Sequence, residues 1–279
     1  MTLKLVSHIN GDSDLIEAWL EYYLALGIEE FHVVLHGEPG GNDRLLGIKN
    51  SYPIIIEDTY GGPFLAEQKK SRLDAVLARH PGQWIVLVDS DEFVEFPYQN
   101  IPKTIQKLRF AHANVMMAPM LQRMMAAGAL ETPPVIQNPF ETFPLCSEDL
   151  YERMGVSASI LKFPLFFCTD RTELEEEGNH GVPRGFVRRT SAMCGVTHHF
   201  KFRRNISERL DRRIHGDHPW RHECVQFREY LDSHLNRLPL EGSFTYSRQE
   251  LFKRGLLRKL SLRNNVRSIG QKIFAWDRK

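Results

Sequence analysis

Hydrophobic positions in the first hundred residues switch between two periods. Leu3 to Val6 is a short apolar run ending at His8-Ile9-Asn10-Gly11, and it reads as a buried strand. Leu15, Ile16, Trp19, Leu20, Tyr23 and Leu24 then recur at helical spacing and make one apolar stripe. Asp14 and Glu17 have capping-box spacing at the start of that helix, and Gly27 stands where it should stop. Phe31–Leu35 and Ile54–Ile56 are further strands, with a glycine-rich loop at 37–41 and a short helix over 43–49 between them. A helix over 65–80 stops at Pro81-Gly82. Trp84–Val88 follows as a nearly continuous apolar strand, the pattern of a strand covered on both faces.

This alternation predicts an α/β fold with a mainly parallel central sheet, flanked by helices through right-handed crossovers. Ligands of such sheets bind beyond the carboxyl ends of the strands. Both His8–Asp12 and Asp89–Glu92 fall there. Beyond Pro102 the pattern predicts a helix over 103–110 and a strand over 115–118. Residues 128–150, with Pro133, Pro134, Pro139 and Pro144, form a long irregular excursion of the kind that serves function. The last third reads as helices over 206–214, 223–235 and 248–274. The expected organisation is one domain over residues 1–240, with a basic amphipathic helical tail over 241–279.

Composition narrows the classes. Apolar residues are 42% and charged residues 25% of the 279, which disfavours intrinsic disorder. The opening MTLKLVSHIN lacks a secretory pattern and no apolar run reaches the ~20 residues of a spanning helix, so a cytoplasmic location is expected. Cys146, Cys168, Cys194 and Cys224 are isolated and read as reduced core residues. The net charge of +1 hides an asymmetry, since residues 201–279 hold 19 Lys and Arg against 9 Asp and Glu. The tail's apolar stripe can pack on the domain or a partner subunit, or lie peripherally on the anionic inner face of a membrane. Interleaved aromatics are lacking, so nucleic acid is not an expected partner.

The strongest chemical signal is Val88-Asp89-Ser90-Asp91-Glu92-Phe93. Carboxylates one residue apart on a turn leaving a buried strand can converge on Mn²⁺ or Mg²⁺, hard cations that accept substrate phosphates into their shell. The same residues also suit a helix N-cap beside a solvated acid. No dinucleotide-binding, P-loop or nucleophile-elbow sequence occurs. Histidines cluster late in the chain. A single imidazole joining two carboxylates on one Mn²⁺ is chemically reasonable.

The DSDEF segment, with the opening LVSHINGDSDLIEAWLEYYLALGIEEFHVV, resembles the family-2-like glycosyltransferases of the GT-A fold. The matching features are Asn10, Asp12 or Asp14, Trp19, Tyr22-Tyr23, Leu26-Gly27 and the acids Asp89, Asp91 and Glu92. A later match is Thr197-His198-His199-Phe200-Lys201-Phe202-Arg203, followed by Glu208-Arg209-Leu210. Gly11 departs from the pattern, because the acid expected there comes at Asp12. The resemblance implies a nucleotide-diphosphate sugar donor, a UDP-sugar in the favoured form, and a divalent metal. Asp91 would be a direct metal ligand, Asp89 would reach the ribose or a metal-bound water, and a histidine from the C-terminal part, His199 first and His180 second, would join the carboxylates on the metal. Asn10 and Asp12 would meet the base or ribose, and Lys69 on the preceding helix a phosphate. Asp149, in Ser147-Glu148-Asp149, would be the base for a glycan, lipid-linked or protein acceptor. Two other readings of the same residues are a metal-dependent nucleotidyltransferase or phosphohydrolase, and a catalytically silent GT-A-like module that binds glycan or nucleotide.

Overall fold

A computed structural model describes residues 2–37, 40–156, 161–175, 180, 181, 183, 190–204, 206–216 and 220–254. The first half runs β1 (Lys4–Ile9), α1 (Ile16–Ala25), β2 (Glu30–His36), α2 (Asp43–Ile48), β3 (Ile54–Tyr60), α3 (Ala66–Leu77), β4 (Trp84–Leu87), β5 (Glu92–Glu95) and α4 (Ile101–Phe110). It continues through β6 (Val115–Met124), α5 (Pro139–Thr142), β7 (Leu145–Ser147), α6 (Leu150–Arg153) and β8 (Leu161–Phe167). The last elements are β9 (Thr190–Cys194), β10 (Val196–His199), α7 (Ile206–His215), α8 (Arg221–Ser233), β11 (Phe244–Thr245) and α9 (Arg248–Lys253).

The α/β class expected from the alternating periods is what forms. Strands lie in the order β11-β7-β6-β8-β4-β1-β2-β3. The β4-β1-β2-β3 half is parallel throughout. Antiparallel β8 joins it to β6, and β10 lies parallel to β6 while pairing β5 antiparallel. Helix α1 buries Ile16, Trp19, Leu20 and Tyr23 on one side of the parallel half. Helix α3 covers the other side, where Leu73, Val76 and Leu77 meet Val6, Val34 and Ile85. Both faces are therefore covered, which is why β4 reads as an unbroken apolar run and why Leu5, Val6 and Ile9 of β1 are buried.

Local signals at α1 succeed at one end and fail at the other. Gly27 has φ +94°, its N–H donates to the Leu24 carbonyl, and the Ile28 N–H donates to the Tyr23 carbonyl. Those two bonds form a Schellman stop, which needs the left-handed backbone glycine adopts without strain. The Asp14–Glu17 capping box does not form. The helix starts after Leu15 with no side-chain cap, Asp14 lies 3.4 Å from Nε of Arg203, and Glu17 binds Arg44. A buried guanidinium outcompetes a backbone N–H for that carboxylate.

The 128–150 excursion contains α5 and β7, and both short helices there begin after polar residues, Asn138 and Asp149. Past residue 240 the chain stays on the same unit. β11 pairs with β7, and Phe244 and Leu251 bury against Leu121, Cys146 and Val196. Of the tail expected over 241–279, residues 255–279 lie outside the described residues. Among the described residues no helix is long and apolar enough to cross a membrane.

Candidate active site

The β4–β5 turn carries Asp89, Ser90 and Asp91 to the carboxyl-terminal edge of the parallel strands, beside the end of β1. There they border a cavity of about 470 Å³. Its walls include His8, Asn10 and Asp12 after β1, Lys69 on α3, Lys162 on β8, and His199 and Lys201 at the end of β10. Tyr151 on α6, Arg209 and Arg213 on α7, and Glu223 and Phe227 on α8 close the far side. The two sequence segments expected to share one sheet edge do so in direct contact. The Ser90 hydroxyl donates to Asp12 at 2.5 Å.

Asp91 and His199 face each other across this cavity, with His199 Nε2 3.4 Å from Asp91 Oδ2. The other ring nitrogen of His199 lies 3.5 Å from the Tyr151 hydroxyl. Burial pushes the Asp91 carboxyl up, but His199, Arg203 and Arg209 outweigh it and hold the group well below the usual range.

Asp89 is placed differently. The Lys69 ammonium, itself 6% exposed, donates to Asp89 Oδ1 at 2.7 Å. Burial again opposes ionisation, and Lys69 followed by Lys162 lowers the net pKa. Asp89, Asp91 and His199 do not gather with all donor atoms within 4.8 Å of one another. The pair Asp91–His199 does offer one oxygen and one nitrogen to a common point. That donor set fits a cation such as Mn²⁺ whose remaining shell is filled by phosphate oxygens and water.

Glu92 and Lys162 lie beneath, an ion pair at 2.7 Å with both side chains at most 3% exposed. Burial raises the Glu92 pKa despite Lys162. Breaking such a pair leaves one charge without a partner at a cost of about 3–5 kcal/mol. Lys162→Leu is expected to lower the melting temperature by roughly 6–20 °C, at 2–4 °C per kcal/mol for a chain of this size. Thermal unfolding followed by circular dichroism checks this. Adding Glu92→Leu should recover most of the loss, since an apolar pair of similar volume removes the orphaned charge.

Asp12 is occupied by cations from the C-terminal half. It accepts from Arg203, which has no exposed surface, and from Arg209 at 3.2 Å. Asn10 donates to His36 Nδ1 at 3.1 Å, and His36 Nε2 lies 3.0 Å from the Gly62 carbonyl. This fixes the His36 tautomer with its proton on Nε2. The His36 ring stacks on Tyr60 at 4.4 Å, and Phe64 packs near His8, His36 and Trp220. An aromatic wall thus stands at the Asn10 end of the cavity.

His180 also borders the cavity, and its Nδ1 is buried with no hydrogen-bond partner. Asp149, expected as a catalytic base, does not line the cavity. Its carboxylate accepts from Ser147 at 2.9 Å and pairs with Arg153 at 2.8 Å. The Arg153 hydrogen bond lowers its pKa, the wrong direction for a proton acceptor. Glu223, which carries no motif, does line the cavity, and burial raises its pKa.

Four histidines set an acid limit on stability. Burial lowers the pKa of His8 to about 3, of His80 to about 4, of His180 to about 2 and of His198 to about 4. In the unfolded chain each titrates near 6.5. The folded protein therefore resists protons that the unfolded chain takes up. The resulting stability is present above pH 6.5 and is lost as pH falls towards 4. The slope is about 1.4 kcal/mol per pH unit for each histidine, roughly 5–6 for the four. Urea unfolding at pH 7, 6 and 5 should show the midpoint dropping steeply over this interval. Substituting His198 by Gln should flatten the slope by about a quarter.

No protein-family model and no curated protein matches the chain. Among solved structures it is similar to residues 1–349 of S. aureus TarS in complex with UDP-GlcNAc, at 12% identity and TM-score 0.38, over 87% of this chain and 75% of that one. The corresponding complex with UDP gives 12% identity and TM-score 0.33, over 90% and 74%. UDP-glucose pyrophosphorylase from Acinetobacter baumanii gives 10% identity and TM-score 0.27, over 48% of this chain and 63% of that one.

Proposed function

We propose that the cavity binds a nucleotide-diphosphate sugar, with a UDP-sugar favoured, and transfers the sugar to an acceptor hydroxyl. The observation that carries this reading is the Asp91–His199 pair, 3.4 Å apart at the carboxyl-terminal strand edge, in a cavity also lined by lysines and arginines. A divalent cation held by Asp91 and His199 would neutralise charge developing on the leaving diphosphate. Asp89 is fixed by Lys69 and stands beside that point, within reach of a ribose or of water. Arg209 and Lys201 add positive potential on the opposite wall. The Lys201 ammonium sits 4.8 Å from the Phe227 ring and 5.0 Å from the Tyr151 ring, and burial lowers its pKa to about 8. An incoming phosphate favours its charged form.

In this reading Phe64 and Trp220 receive the base and Asn10 borders it. The Arg203 and Arg209 bonds to Asp12 hold the base end of the cavity against the segment after β10. Glu223 takes the proton of the acceptor hydroxyl, in place of Asp149. Base–aromatic stacking is worth about 1–3 kcal/mol. Trp220→Ala should therefore weaken UDP binding roughly 5- to 150-fold and leave binding of inorganic pyrophosphate unchanged. Calorimetric titration with both ligands in the presence of Mn²⁺ tests the assignment. Equal losses for the two ligands would remove Trp220 from the base site. Failure of UDP to bind the wild-type chain at all would remove the proposed function.

A further inference from the structure

The sheet face covered by α3 has titratable side chains at both of its ends. Lys4, Val6 and His8 on β1, and Glu30, His32, Val34 and His36 on β2, alternate onto that face. His8 and His36 lead to the cavity. Lys4, Glu30 and His32 lie at the amino-terminal end, where α3 finishes and the chain reaches His80. Here His32, Glu57 and His80 each present a donor atom, and the three atoms lie within 4.8 Å of one another. Among the described residues no other group of histidines, cysteines and carboxylates gathers so closely. None of the three borders the cavity.

The surroundings are built for a cation rather than for hydrogen bonds alone. His32 and His80 are 3% and 7% exposed, and Nε2 of His80 is enclosed with no hydrogen-bond partner. The two imidazole rings meet at 4.5 Å and 65°. His32 Nδ1 lies 2.5 Å from Glu57 Oε1, and its Nε2 lies 3.0 Å from Glu30 Oε2. Glu30 thus stands as the outer carboxylate that orients a ligating histidine. Arg79 holds the second oxygen of Glu57, and Lys4 pairs with Glu30 at 3.0 Å. Glu57 also borders a surface groove, together with Arg79.

We propose that His32, Glu57 and His80 form a second divalent-cation site, of the zinc class, at the amino-terminal end of the parallel strands. Two imidazoles and one carboxylate are a donor set for Zn²⁺ that leaves a fourth place to water, and they disfavour Mg²⁺ and Ca²⁺. The cation takes Nδ1 of His32 in place of the proton shared with Glu57, and that proton leaves to solvent. Lys4, 3.5 Å from Nδ1 of His80, stays with Glu30. Bound there, the ion ties β2, β3 and the segment after α3 together.

The test uses the full chain stripped with chelator and titrated with Co²⁺ and then Zn²⁺. The expected result is one equivalent of Co²⁺ with a tetrahedral visible spectrum, displaced by Zn²⁺ and retained in Asp91→Asn. His80→Gln and Glu57→Gln should each weaken binding at least tenfold with native circular dichroism. Zn²⁺ should raise the melting temperature of the wild type, a readout that stands even where a variant fails to fold. No bound Co²⁺ or Zn²⁺ in the wild type, unchanged affinity in a folded His80→Gln or Glu57→Gln, or loss of the equivalent in Asp91→Asn would each overturn the site.

Discussion

Asp91→Asn is expected to reduce divalent-dependent sugar transfer on the order of 10²–10³-fold, the usual cost of removing one preorganised electrostatic group from an active site. The substitution keeps the shape of the side chain and removes its charge. His199 at 3.4 Å then faces a neutral amide, and a hard cation loses its one anionic protein ligand in this geometry. The loss should appear both in turnover and in the Mn²⁺-dependent part of UDP affinity. His199→Gln should give a smaller loss in the same two quantities. Unchanged Mn²⁺-dependent UDP affinity in Asp91→Asn, measured by calorimetry, would show that the cation is held elsewhere.

Glu223→Gln is the second large effect. Removing a general base lowers the chemical step by about 10²–10⁴-fold. Because Glu223 belongs to the acceptor side of the reading, UDP affinity should stay at the wild-type value while kcat falls. Its raised pKa also fixes the sign of the pH dependence. The base works deprotonated, so turnover falls as pH drops through its pKa, which lies above the ordinary carboxylate range near 4.3. The glutamine variant should lose that acidic limb. Asp149→Asn serves as the comparison, and an equal collapse there with Glu223→Gln unaffected would return the base to the position first expected from the sequence.

What was legible in the chain follows from how local each signal is. The parallel half of the sheet is written in apolar runs and helical stripes, each formed by consecutive residues, and β1 to β4 form where those runs predict. Asp89, Asp91 and Asn10 could be placed at one sheet edge from the sequence because strand ends announce themselves, and all three line the cavity there. His199 was reached only through the resemblance, since nothing in its own neighbourhood says that β10 pairs with β5 and aims the ring at Asp91. Lys162 reads in the sequence as a break in an apolar run. It is tolerated in β8 because Glu92, seventy residues earlier, meets it across the sheet. The Asp14–Glu17 capping box was misread for the same reason. Arg203 lies 189 positions from Asp14, and no local rule anticipates a buried guanidinium from that far away. Glu223 and Trp220 carry no motif, and only the packing of α8 against the cavity brings them in.

The central claim is tested most directly by product analysis. The full chain is incubated with UDP-sugars and Mn²⁺, with and without hydroxyl acceptors, and separately with UTP and sugar 1-phosphates. Release of UDP from a UDP-sugar, dependent on Asp91 and accelerated by an acceptor that becomes glycosylated, is the expected result. Release of pyrophosphate from UTP and sugar phosphate with no UDP formed from any UDP-sugar would contradict glycosyl transfer and assign the same carboxylates to nucleotidyl transfer.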